Sequence, residues 1–165
     1  MLPDEKPQSR KFLLDATPRC LKIGGPGGRW IVVGDVNGSV RVFGWQGSGQ
    51  DQYREIWRKQ LHADHHKGWT EEGVVEVGFI GDIACSAGAD GLVKGEDDWC
   101  IFFDPRTGEE IERVAVQSSW GYMDHFGDCK WPATWVVAGS PDGRYAFVGS
   151  RGGIAICDFR VHLQG

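Results

Sequence analysis

The chain has 165 residues, 41% hydrophobic and 25% charged, with a formal net charge of −5. That length suffices for one domain with its own core; the acidic balance argues against a general nucleic-acid binder, which needs a basic face for phosphates; and no apolar run approaches a membrane span. The 25 glycines, spread singly or in pairs, imply many tight turns, and the eight tryptophans suit core edges and binding surfaces, each pairing an apolar body with a polar N–H.

The opening stretch MLPDEKPQSRKF lacks the apolar centre of a signal peptide. Residues 1–16 read as a tail holding one strand-like run, Arg10–Asp15 (RKFLLD). Short runs rich in Val, Ile and aromatics follow, bounded by Gly, Asp, Asn or Pro, and those are strand signals. The first are Cys20–Ile23, Trp30–Gly34 and Val40–Phe43. Gln50–His62 is ambiguous: Tyr53, Ile56, Trp57 and Leu61 fit one helical face, while Tyr53, Glu55, Trp57, Lys59 and Leu61 alternate in part as a strand does. Further strands are expected at Val74–Phe79, Ile83–Ser86, Cys100–Asp104, Glu110–Val116, Thr134–Ala138, Tyr145–Gly149 and Ile154–Asp158.

An internal repeat orders these runs. GGPGGRWIVVGDVNG (Gly24–Gly38) lies over GSPDGRYAFVGSRGG (Gly139–Gly153) at a constant offset, matching Pro26 with Pro141, Arg29 with Arg144, Trp30 with Tyr145 and Gly34 with Gly149. The copies continue as VRVF and IAIC after one residue drops out of the second. A weaker middle copy runs from Val74 to Gly91 and resumes at Trp99. Such a repeat means one supersecondary unit used several times. Asn37-Gly38, Asp90-Gly91 and Gly152-Gly153 supply the positive φ of two-residue hairpins. The repeat selects a strand for Tyr53–Leu61, as the outer strand of the first unit, with Glu110–Val116 as its counterpart in the second. The units span about residues 17–61, 74–116 and 133–160.

A four-stranded meander repeated in tandem is the unit of a β-propeller. SPDGRYAFVGSRGGIAICD (Ser140–Asp158) resembles the WD-repeat family, and GDVNGSVRVF and CIFFDPRTGEEIERV match the corresponding parts of its blades. The resemblance covers about residues 17–160 and implies an all-β fold of about three propeller blades. Phe43-Gly44, Phe103-Asp104 and Cys157-Asp158 stand where the family has Trp-Asp. No Gly-His dipeptide precedes the first strand of any copy, and His62 is the nearest candidate, so the family's buried polar network is expected to be largely absent. Three blades do not close a ring by themselves. Two chains would close one of six, or further blades would come from a longer protein, and Arg10–Asp15 is a candidate for the missing outer strand of the third blade. Left alone, the three would expose two sheet faces to water.

Several motifs invite chemical readings. VVGDVNG resembles the first metal motif of calcineurin-like phosphoesterases, but Asp35 is followed by Val36 and Asn37 where a His ligand is needed, and the later ligand motifs are missing. In the third repeat Ser150 takes the position of Asp35, so the repeat needs no carboxylate there. His62, Asp64, His65 and His66 have spacing that suits a zinc or nickel ion, or else form a solvated loop. GGPGG (Gly24–Gly28) precedes a strand rather than a helix, so it reads as a turn and not a phosphate cradle. The five cysteines are odd in number and contain no Cys-x-x-Cys, which implies free thiols in a reducing compartment and a cytoplasmic or nuclear protein. No Ser/His/Asp or Cys/His arrangement can be singled out.

Loop placement is the most informative functional signal. In a meander, the connections between units and those between second and third strands leave from the same end. The three longest irregular segments, His62–Gly73, Leu92–Trp99 and Ser118–Ala133, are all of these kinds. They carry Trp69, Trp99, Trp120, Tyr122, Phe126 and Trp131 together with Glu71, Glu72, Glu96, Asp97, Asp98 and Asp124. Aromatics among acids suit a Lys- or Arg-bearing peptide; equally, the aromatics would pack the loops onto their own sheets. The sequence therefore reads as a protein-interaction scaffold, with no catalytic, cofactor or metal residue assigned. The alternatives are a metal-dependent hydrolase using His62–His66, and a piece of a longer propeller with no function of its own.

Overall fold

The computed structural model describes residues 11–47, 53–62, 73–88, 99–115, 136–150 and 153–159. All regular structure there is β, apart from one 3-10 turn at Pro26–Gly28. The first sheet holds β1 (Pro18–Gly24), β2 (Trp30–Asp35), β3 (Ser39–Trp45) and β4 (Tyr53–Gln60). The second holds β5 (Val74–Ile80), β6 (Ile83–Gly88), β7 (Trp99–Phe103) and β8 (Glu110–Ala115). The third holds β9 (Val136–Gly139), β10 (Tyr145–Ser150) and β11 (Gly153–Asp158). Each sheet is an antiparallel meander in chain order. Gln50–His62 thus resolves as a strand over Tyr53–Gln60. Its alternation places Trp57 and Lys59 on the neighbouring sheet.

The repeat extends to irregularities. The ladder slips between Val42 and Phe43 in β3, and again between Phe102 and Phe103 in β7. It also slips at the start of both first strands, between Pro18 and Cys20 and between Val74 and Glu76. A displaced residue bends and twists its strand, so both complete sheets are shaped by the same device.

Strand alternation gives the sheets two apolar faces, and stacking buries those that meet a neighbouring sheet. Val32, Val40 and Val42 of the first sheet meet Val77, Ala84, Ile101 and Phe103 of the second. The opposite face of the second sheet, with Cys85, Cys100 and Phe102, meets Ala146 and Val148 of the third. Phe159 closes that layer with its ring 4.9 Å from Phe102. The first strands β1, β5 and β9 lie side by side, and Gly34 permits the approach: a Cβ there would stand 2.3 Å from Val74 Cγ1. At the far side, Trp57 of β4 stands edge-on to Phe103 and donates its indole N–H to the Pro105 carbonyl. Lys59 Nζ donates to the carbonyls of Thr107 and Gly108.

Asn37-Gly38 does not form the two-residue hairpin expected from sequence. Three residues, Val36 to Gly38, separate β2 from β3. The Gly38 N–H donates to the Asp35 carbonyl at 3.2 Å, and Gly38 takes a positive φ of +83°. This is a three-residue hairpin loop with glycine at positive φ, one residue longer than expected. Asp90-Gly91 and the Gly152 half of Gly152-Gly153 lie outside the described residues. GGPGG forms the 3-10 turn and Ser140–Gly143 a β-turn, closed by Gly28 N–H to Gly25 O and Gly143 N–H to Ser140 O.

Residues 11–14 form no strand and run over the outer face of the first sheet. Phe12 sits on Phe43 with centroids 5.1 Å apart, and Asp15 pairs with Arg41 and Arg58. In one chain this segment therefore accompanies the first sheet rather than the third. Among the described residues no helix is long and apolar enough to cross a membrane.

Candidate functional site

Two ends of the sheet array concentrate polar and aromatic groups. At one end lie the β2–β3 loop, the end of β4, the start of β5 and the end of β6. His62, just past β4, is buried and places Nε2 2.9 Å from Ser86 Oγ on β6. Its backbone N–H donates to Gly38 O, and its carbonyl accepts from Gln60 Nε2. Gly88 leaves room for the ring, since a Cβ there would lie 2.2 Å from His62 Nδ1. Gly73 abuts the Val36 carbonyl. The chain thus leaves for residues 63–72 and 89–98 from adjacent points, as meander alternation predicts.

Asp35 organises the same end. Its buried Oδ1 accepts the N–H groups of Asn37 and Ser39, both at 2.9 Å. Its Oδ2 lies 4.0 Å from the Arg41 guanidinium, which also reaches Glu55 at 3.5 Å. A side chain folded back on its own loop in this way stabilises the turn. The carboxylate suggested as a metal ligand by VVGDVNG is thereby a turn-forming group. Of the His62–His66 cluster, His62 is engaged with Ser86, while Asp64, His65 and His66 lie outside the described residues. Among the described residues no group of three or more His, Cys, Asp or Glu side chains could hold a metal ion.

Of the nine aromatic and acidic residues assigned from sequence, Trp69, Glu96, Asp97, Asp98, Trp120, Tyr122, Phe126 and Trp131 lie outside the described residues, and Trp99 opens β7. It is half-buried against the layer between the first two sheets. The Arg113 guanidinium lies 5.3 Å from its ring, anchored by a two-point pair with Glu110. Trp99 therefore packs and holds its own chain's cation over one ring.

The opposite end carries a feature that sequence reading missed. An open groove of about 590 Å³ lies between the β1–β2 and β3–β4 connections, walled by Arg29, Trp30, Trp45, Tyr53 and Ile56. Trp45 and Tyr53 meet edge-on at 5.2 Å, and the Tyr53 hydroxyl donates to the Gly28 carbonyl at 2.6 Å. The signal was present: Trp30, Trp45 and Tyr53 all fall at strand ends on this side of a meander.

Among the described residues, the thiols of Cys20, Cys100 and Cys157 are poorly suited to nucleophilic work. Burial, reinforced by nearby Glu76, pushes Cys20 up to about 11. Burial and the neighbouring Cys100 push Cys157 up to about 11 as well. Cys100 is raised further by its hydrogen bond with Cys85 and by burial. A reactive cysteine needs the opposite, a stabilised thiolate.

No family model matches the chain, and no curated protein does. Among solved structures, the crystal structure of the computationally designed Ika4 protein is similar at 13% identity, covering 88% of this chain and 92% of that one with a TM-score of 0.34. A likeness at that level does not define the fold.

Proposed function

We propose that the three sheets are blades of a WD-repeat-type propeller. On this reading the chain is an interaction scaffold of the cytoplasm or nucleus, without chemistry of its own. The observation that supports it most is the gathering of chain exits at one end: His62 beside Gly88, and Gly73 beside Val36. Residues 63–72 and 89–98, which the chain enters from there, carry Trp69, Glu96, Asp97 and Asp98. Acidic side chains beside large aromatics attract Lys and Arg and offer ring faces to their heads. The partner is accordingly a basic protein segment.

The test is titration of the purified chain with pools of Lys/Arg-rich and Glu-rich peptides, followed by tryptophan fluorescence at low and high salt. The basic pool should saturate the signal and weaken with salt, and reversing Glu96, Asp97 and Asp98 to lysine together should abolish binding. Failure of both pools, or indifference to the charge reversal, would sink this reading.

A further inference from the structure

The third sheet presents an outer face that the repeat marks as half of an interface. Phe147, Ile154 and Ile156 stand where Val32, Val40 and Val42 stand in the first sheet, and their ladder agrees: Phe147 pairs with Ile156 as Val32 pairs with Val42. The three valines are 0% exposed between the first and second sheets, whereas Phe147, Ile154 and Ile156 are 39%, 75% and 65% exposed. The first sheet presents the reciprocal face. Leu21 and Ile23 occupy the places of Val77 and Phe79, which the second sheet turns toward the first, and they are 55% and 60% exposed.

The N-terminal segment adds an independent mark. Phe43 and Phe103 are equivalent: each follows the ladder slip of its third strand and pairs with Ile31 or Ala84 respectively. Phe103 is covered by Trp57, from the fourth strand of the preceding sheet, with centroids 5.3 Å apart. Phe43 is covered by Phe12 at 5.1 Å. Residues around Phe12 thus occupy, on the first sheet, the place that the fourth strand of a preceding sheet occupies on the second. Among the described residues the third sheet has no fourth strand, and β11 is its open edge.

We propose that two copies of the chain join head to tail and close a ring of three sheets from each. The Phe147, Ile154 and Ile156 face of each copy packs on the Leu21 and Ile23 face of the other. Residues 11–15 of each run beside β11 of the other as its fourth strand. This rests on reading the sheets as blades, whose rings close at such a count. The occupant is a second copy because this chain itself carries both halves of the contact, each equivalent to one already buried within it. Burial of two apolar faces that water otherwise covers drives the association.

The experiment is mass measurement in solution by light scattering and sedimentation, with sheet content followed by far-UV circular dichroism. The wild-type chain should have twice the mass of one chain. Ile156→Asp and Leu21→Asp, both at exposed positions, should each give folded single chains. An equimolar mixture of the two variants should recover a dimer, since one of its two contacts is then undamaged. Phe12→Ala should weaken association by about tenfold or more, the scale of one truncated anchor. A single-chain wild type overturns the proposal, and so do larger assemblies or a Leu21→Asp chain that still dimerises. A single chain that still binds basic peptides removes the ring and leaves the scaffold reading standing; a dimer that binds none does the reverse.

Discussion

The indole of Trp57 meets Phe103 edge-on at 5.3 Å and donates its N–H to the Pro105 carbonyl 2.8 Å away. One side chain of the first sheet thus supplies both the apolar and the polar fastening to the second. Trp57→Ala should cost about 3–5 kcal/mol in urea unfolding, as large aromatic truncations do. Trp57→Phe keeps a ring against Phe103 and gives up the hydrogen bond, so about 1–2 kcal/mol is expected. Equal losses for the two variants would show that the ring contact contributes little.

His62 and Ser86 form a buried pair at 2.9 Å. His62→Ala leaves the Ser86 hydroxyl without that partner, and about 1–3 kcal/mol of stability should be lost. The double variant with Ser86→Ala should lose less than the sum of the two single losses, because neither side is then left unsatisfied. Strict additivity in the cycle would mean that the two groups are not coupled.

Asp35 holds two backbone N–H groups through one oxygen. Asp35→Asn keeps an oxygen in that place, whereas Asp35→Ala removes it and should be the more destabilising by about 1 kcal/mol. Metal content of the purified protein should be the same in all three forms. A metal stoichiometry that falls with Asp35→Asn would restore the phosphoesterase reading.

The thiols Cys20 and Cys157, each raised to about 11, are almost wholly protonated at mild alkaline pH. Compared with an ordinary thiol near 8.5, the thiolate fraction at about pH 8 is roughly 200-fold lower. Mass spectrometry after brief alkylation should find both unlabelled in the native protein and fully labelled in guanidinium. Reactivity should rise only as pH approaches 11. Rapid native labelling of either at pH 8 would contradict the environment described.

Much of the strand pattern was legible because the repeat constrained it. The expected runs Trp30–Gly34 and Tyr145–Gly149 differ from β2 and β10 by a single residue at the end. Tyr53–Leu61 could not be settled by periodicity alone, since Trp57 and Leu61 satisfy both templates, and only the need for an outer strand decided it. The hairpin length was misjudged because Asn37-Gly38 looks the same whether or not a preceding carboxylate folds back onto the loop. The His62–Ser86 contact was hidden for a similar reason. His62 was grouped with its near neighbours His65 and His66, while its partner stands on another sheet, and the glycine that admits its ring is Gly88. Long-range pairs of this kind leave no local spacing to read.

The unlike outer faces give the head-to-tail arrangement a polarity. Contacts of that kind are heterologous, and they stop growing only when the accumulated rotation brings the last face back to the first. Gly34 lies where that rotation is set, because it fixes how closely β2 approaches Val74. A larger residue wedged there would change the angle between neighbouring sheets while leaving both outer faces adhesive. For the proposed ring, the expected product is an open fibre lengthening at its ends in place of a closed dimer.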